Sequence, residues 1–236
     1  MASSGTYSFS MTRDDVIGAA LRTLGAFGSQ DTIPAADITN CAQALNILVK
    51  SWPLKGLPLW CVLEVTVPCV VGQGTYTLGP ANPSSPLRPL RILDAFLRNT
   101  NNGNTDVILQ VESRYDFDML GFKASPGIPN QLFYDPQATN GLVTLYNVPN
   151  LTGYELHVVI QRQIQDFNLA ADNPDMPAEA FQALKWGLAN ELVLEYGNPQ
   201  LNLAKIEKNA TMYLNDLMAF EQEFASVYFT PATRSM

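Results

Sequence analysis

Charge is what this sequence has least of. Only 15% of its 236 residues are Asp, Glu, Lys or Arg, against about 25% in an ordinary globular domain. The hydrophobic share is 47% and the mean hydropathy is zero, which excludes a disordered chain. A folded chain so short of Lys and Glu is expected to have surface that a partner covers. Basic residues are the scarcer sign, 14 against 22 acidic, for a net charge of −8. That excludes wrapping around nucleic acid, because phosphate contacts need clustered Lys and Arg. No apolar run approaches the roughly 18 residues of a membrane span, so no membrane partner is expected. The opening MASSGTYSFSMTRDD has no charged start leading into an apolar stretch, so no secretory signal is read there. A single histidine and three scattered cysteines, Cys41, Cys61 and Cys69, exclude a disulfide framework. They also lack the close pairs that zinc requires, and fit free thiols in a reducing compartment.

What is present is pattern. The first ten residues have no periodicity, so 1–11 reads as a flexible arm. Thr12 with Asp15 is close to a capping box, and Val16, Ile17, Ala20, Leu21 and Leu24 follow at helical spacing until Gly25 and Gly28. A second helix is predicted from Ile38, Cys41, Leu45, Leu48, Val49 and Trp52, with Pro53 ending it. From Cys61 the texture turns β-branched. About seven strands are predicted, at 61–67, 70–78, 90–98, 106–111, 131–134, 142–148 and 154–163, with a short helical turn at 115–122. Their spacing favours a sandwich or small barrel.

Helical period returns after Pro177, read as a first helical position. Phe181, Leu184, Leu188, Leu192 and Tyr196 mark one face, and Gly197 reads as a C-terminal stop. A last helix is predicted from about Pro199 to Ser226, striped by Leu203, Ile206, Ala210, Tyr213, Leu217, Phe220 and Phe224. The predicted class is α+β, with N- and C-terminal helices packed as a bundle and an all-β region inserted between them. The helical core takes 12–60 and 171–225, the β domain 61–170, and 226–236 is a tail. Segment 171–236 holds four basic and nine acidic residues, net −5.

Catalytic chemistry is not predicted. His157 sits inside a predicted strand without a nucleophile motif and reads as a satisfied structural residue. Gly72-Gln-Gly74 lacks the lysine and third glycine of a phosphate loop and precedes a strand. Glu191 and Glu195, four apart on one helix, sit side by side rather than across a cleft, so they read as a solvated acidic face and not a glycosidase pair. Arg88 and Arg91, with Arg98 nearby, are the densest basic spot and suit an interface salt bridge. No enzyme activity, cofactor or metal is expected.

Several stretches, taken in order, resemble a known family. They are Asp15–Gly25, Ala44–Trp52 and Gly56–Trp60, then Gly72–Gly79 with Arg88–Ile92. Gly127–Pro136 and Gly141–Pro149 follow, and last Met176–Leu192 with Glu195–Gly197. Their order and spacing resemble the head-to-tail adaptors of short-tailed, podovirus-type bacteriophages, also called connector or head-completion proteins. The resemblance spans about residues 12–225.

It implies a structural virion protein, assembled in the host cytoplasm. Such proteins form a homo-oligomeric ring of usually about twelve copies below the portal protein. The ring extends the DNA channel, through which DNA passes without specific binding, and docks a tail nozzle or tail-tube protein. The C-terminal segment of such adaptors reaches the portal, which makes Tyr228, Phe229, Pro231 and Arg234 the expected portal-binding residues. The net −5 of the last segment makes Glu191, Glu195 and Glu207 expected channel-lining residues, repelling phosphate. Arg88, Arg91 and Arg98 are expected at inter-subunit or tail contacts. The alternatives are another neck or tail-tube component, or a carbohydrate-binding or peptidoglycan-degrading virion module.

Overall fold

Thr12 starts the ordered helices. Its hydroxyl accepts from the Asp15 amide at 3.3 Å, and the Asp15 carboxylate accepts from the Thr12 amide at 3.0 Å, a reciprocal capping box. The computed structural model describes residues 3–56, 58–198 and 200–220. Helix α1 (Arg13–Thr23) buries Val16, Ile17, Ala20 and Leu21. Helix α2 (Ala35–Lys55) buries Cys41, Leu45, Leu48, Val49 and Trp52. Pro53 does not end it, contrary to the sequence expectation. It lies inside the last turn, so the donor it removes and the crowding of its ring on the Val49 carbonyl fall where the helix is about to end.

A 3-10 turn at Leu59–Cys61 leads into the β region. Its strands are β1 (Val62–Pro68), β2 (Thr75–Leu78), β3 (Arg91–Asn99), β4 (Thr105–Ile108) and β5 (Gln110–Glu112). After helix α3 (Arg114–Met119) come β6 (Pro126–Gly127), β7 (Gln131–Pro136), β8 (Gly141–Tyr146), β9 (Val148–Pro149) and β10 (Tyr154–Gln161). Two four-stranded sheets form, ordered β1-β10-β3-β4 and β2-β8-β7-β5. Val65, Leu97, Leu156 and Val158 of the first meet Tyr76, Leu132, Val143 and Leu145 of the second in one core. This is a sandwich.

The strand predicted at 106–111 is in fact two. β4 closes the first sheet against β3, and β5 pairs in parallel with β7 in the second. Between them the Leu109 side chain is buried and its amide donates to the Ala95 carbonyl at 2.9 Å. The chain therefore crosses from one sheet to the other along a single side of the sandwich.

After β10, residues 162–175 run back along the helices. Asn46 grips Phe167 through both its amide and its carbonyl, at 2.9 and 3.1 Å, and Lys50 pairs with Asp166 at 2.7 Å. The Arg13 amide at the start of α1 donates to the Asp172 carbonyl at 2.8 Å, so this return segment supplies an acceptor to α1's first turn. Pro177 precedes a 3-10 turn at Ala178–Ala180 rather than opening a helix, and α4 (Phe181–Tyr196) follows. Gly197 is extended (φ −69°) and not left-handed. Close approach accounts for it, since a Cβ there would lie 2.2 Å from the Val193 carbonyl oxygen. Helix α5 (Leu203–Phe220) starts later than expected and buries Ile206, Ala210 and Leu217, but leaves Leu203 and Phe220 exposed. Phe224, at the end of the expected stripe, lies outside the described residues. The first and last helices share one core with Ile164 and Phe167. Helices at both ends with a β region between them is the expected α+β class.

Candidate functional site

The surface is where an expected function of assembly must be sought, and its features fall into four groups. The acidic one is on the C-terminal helices. Glu191 and Glu195 stand one turn apart on α4, Glu207 stands on α5, and all three are exposed. None forms an ion pair among the described residues. Glu191 borders a small cleft of about 80 Å³ between α2, α4 and α5, shared with Lys55 and Thr211.

The three arginines are not brought together. Arg98 makes a two-pronged bond to Asp106 on neighbouring β4, at 2.8 Å on each arm. That bond holds the Asp106 carboxyl below the usual range. Arg91 lies at the other end of β3 and donates to the Gln161 amide oxygen at 2.6 Å. Arg88 lines an open cleft of about 420 Å³ with Pro86, Leu87, Thr139 and Gln163. Nearby, the Tyr134 hydroxyl donates to the Pro89 carbonyl at 2.6 Å, pinning the Pro-rich loop to β7.

His157 is 4% exposed on the outer face of the first sheet. Its Nδ1 lies 2.7 Å from Glu64 and 3.2 Å from the Thr66 hydroxyl, and its ring stacks on Phe96 with centroids 4.6 Å apart. Nε2 is 3.6 Å from the Glu155 carboxylate, beyond hydrogen-bonding reach, and is unpartnered among the described residues. The expected satisfied histidine is thus satisfied at one nitrogen only. A catalytic relay divides the ring, one nitrogen to a nucleophile and the other to an orienting carboxylate. Here Glu64 and Thr66 share the same nitrogen.

The fourth group is apolar and was not singled out in the sequence. Ile108 on β4 is 80% exposed, and Tyr115, Met119 and Phe122 on and after α3 are exposed as well. Leu54 and Leu194 project from α2 and α4 into solvent. A faint signal for part of this was available. Val107, Ile108 and Leu109 are consecutive apolar residues, and a strand sends neighbours to opposite faces, so they cannot all enter one core.

A model of the SU10 adaptor protein family matches residues 11–234, nearly the entire chain. The chain belongs to the SU10 adaptor protein family. No curated protein matches it. It is therefore a structural phage adaptor protein and a virion component.

For an SU10-family adaptor the exposed apolar residues have a ready meaning. Exposed apolar side chains that gather into a patch mark interaction surfaces. Among the described residues no group of His, Cys, Asp and Glu is arranged to hold a metal ion, and no helix is long and apolar enough to cross a membrane. Tyr228, Phe229, Pro231 and Arg234, the expected portal contacts, lie outside the described residues.

Proposed function

We propose that this adaptor assembles as a homo-oligomeric ring of about twelve copies beneath the portal of a short-tailed phage, extends the DNA channel and docks the tail nozzle or tail tube. The observation that carries the reading is the match to an adaptor family across residues 11–234. Two properties of the chain support it. A charged share of 15% leaves little of the surface committed to solvent. Exposed apolar side chains occur both on the sandwich, at Ile108 and Tyr115, and on the helices, at Leu54 and Leu194. A head-to-tail ring consumes surface on two different sides of every subunit.

In this ring Glu191, Glu195 and Glu207 face the channel, and DNA passes without specific binding. Tyr228, Phe229, Pro231 and Arg234 engage the portal, while Arg88, Arg91 and Arg98 face neighbouring subunits or the tail. The test is the native mass of the protein alone and after mixing with portal rings. The expected result is about a dozen copies on each portal. Deleting 226–236 should abolish that binding while leaving the melting temperature unchanged. A full-length protein that ignores the portal would overturn the proposal.

A further inference from the structure

One side of the sandwich is an open edge. β4 is the last strand of the first sheet and β5 the last strand of the second. Along 105–109 the outer side has no ladder partner among the described residues, and at Gln110 the phase breaks because its amide turns to the Asn130 carbonyl of the second sheet. Proteins ordinarily blunt such edges with Lys, Pro, a bulge or a covering loop. The opposite edge of the first sheet has these devices, since β1 ends in Pro68 and residues 84–87 run beside it across a cleft of about 330 Å³. β4 has none of them. Its one charge, Asp106, is neutralised by Arg98, and Ile108 is largely bare. Because the Leu109 amide points to β3, strand alternation turns the backbone groups of Asp106 and Ile108 outward.

The same chain carries a strand-like segment without a sheet. The arm has no helical period, but residues 4 to 12 alternate between Ser or Thr and other side chains. Ser4, Thr6, Ser8, Ser10 and Thr12 fall on one side, and Gly5, Tyr7, Phe9 and Met11 on the other. The arm forms no ladder. Its base is anchored, with the Phe9 ring 6.0 Å from Phe181 and the Ser10 hydroxyl 3.2 Å from Asn173. Tyr7 beyond that anchor is fully exposed. Residues 3–12 carry no charge, which matches a β4 edge whose one charge is cancelled by Arg98. The five residues 4–8, free of that anchor, equal the length of 105–109, about 17 Å of extended chain.

We infer that the free end of the arm of one copy, residues 4–8, adds as a strand to the 105–109 edge of a neighbouring copy, laying Tyr7 over Ile108. The inference rests on the multi-copy reading above. Main-chain hydrogen bonds supply affinity in such strand addition, and the alternate side chains supply register. Donor and acceptor surfaces differ, so the contact is heterologous and can close a ring.

The test uses the full-length protein carrying Ser8→Cys and Gln110→Cys, assembled on portal rings and bridged with a short bis-maleimide. Covalent multimers that require both cysteines are the expected result. A link confined within one chain, or no link in assembled rings, would overturn the strand exchange. A second variant, Ile108→Pro, removes an outward donor without touching the ladder to β3. It should keep the circular dichroism of the wild type and weaken assembly by about tenfold or more. Equal assembly by a folded Ile108→Pro protein would count against the exchange alone. A wild type that never assembles would instead remove the ring reading itself.

Discussion

Arg162 grips Asp175 with both arms of its guanidinium, one of them at 2.9 Å. The same side chain reaches the Trp60 carbonyl at 3.3 Å, and its backbone amide donates to the Cys61 carbonyl at 2.8 Å. Asp175 also accepts from the Gln165 amide at 3.0 Å. One residue at the end of β10 thus ties the segment entering the sandwich to the segment leaving it. Both side chains are mostly buried, so removing one strands the other without a partner. Arg162→Ala should cost about 3 kcal/mol, read as a lower urea midpoint. Arg162→Lys keeps the charge but loses the fork and should fall between. An unchanged midpoint for Arg162→Ala would show that the fork contributes nothing.

Acid should loosen the return segment. The amides of Leu169 and Asn168 donate to the Asp172 carboxylate at 2.6 and 2.7 Å and hold its carboxyl below the ordinary value of 3.8. A depressed folded pKa stabilises the fold above the unfolded value, and that contribution is lost as pH falls through the folded one. Asp172→Asn should therefore lower stability at neutral pH, with the gap to wild type closing towards about pH 2. Denaturation curves at the two pH values decide it, and a gap that stays constant would exclude this linkage.

The thiols should be inert in the native state. Burial pushes the Cys41 thiol up to about 11, helped by the negative charges of Asp37 and Glu195. Burial likewise pushes Cys69 up to about 11, with the Tyr76 hydroxyl acting in the opposite direction. The thiolate is the reactive form, so an aromatic disulfide reagent at mildly alkaline pH should find neither until the protein unfolds. Rapid release of chromophore from native wild-type protein, lost in Cys41→Ala or Cys69→Ala, would contradict this.

Reversing charge on the C-terminal helices tests the proposed channel wall. Glu191, Glu195 and Glu207 are exposed, so a triple change to Lys should barely alter melting. Positive charge on the wall would attract phosphate, and DNA release from particles should slow. Ejection at the wild-type rate would remove these residues from the channel.

Much of the fold was legible because local chemistry decides it. The Thr12–Asp15 box, the helical stripes and the β-branched middle each state their structure within a few residues. What escaped depends on residues far away in sequence. Nothing near Leu109 says that β4 belongs with β3 and β5 with β7, because those partners are brought in by the folded sandwich. Pro53 reads as a stop by local rules, yet the helix runs two residues past it to Lys55. Gly197 was expected for its freedom to turn left-handed, and is explained instead by the crowding of Val193.

The surface was legible in part. Glu191, Glu195 and Glu207 are exposed, as charged residues without a partner ordinarily are. The arginines looked like one cluster because they are close in sequence, but β3 is an extended strand that carries Arg91 and Arg98 to opposite ends. Asp106 then claims Arg98 across a turn. The open edge escaped because alternation says which face a residue takes, and not which strand will be outermost.

Val62 lies directly opposite Gln161 in the ladder between β1 and β10, about 4.8 Å away. Everything between them leaves and returns at nearly the same point. The helices therefore meet the same pair of attachment points whatever is built above. A lineage could lengthen a hairpin, graft a loop or replace the whole sandwich with another unit whose ends lie one strand apart, and no helix would need to shift register. Divergence among proteins that share this helical frame should accordingly collect between those two residues, where change is cheapest to accommodate.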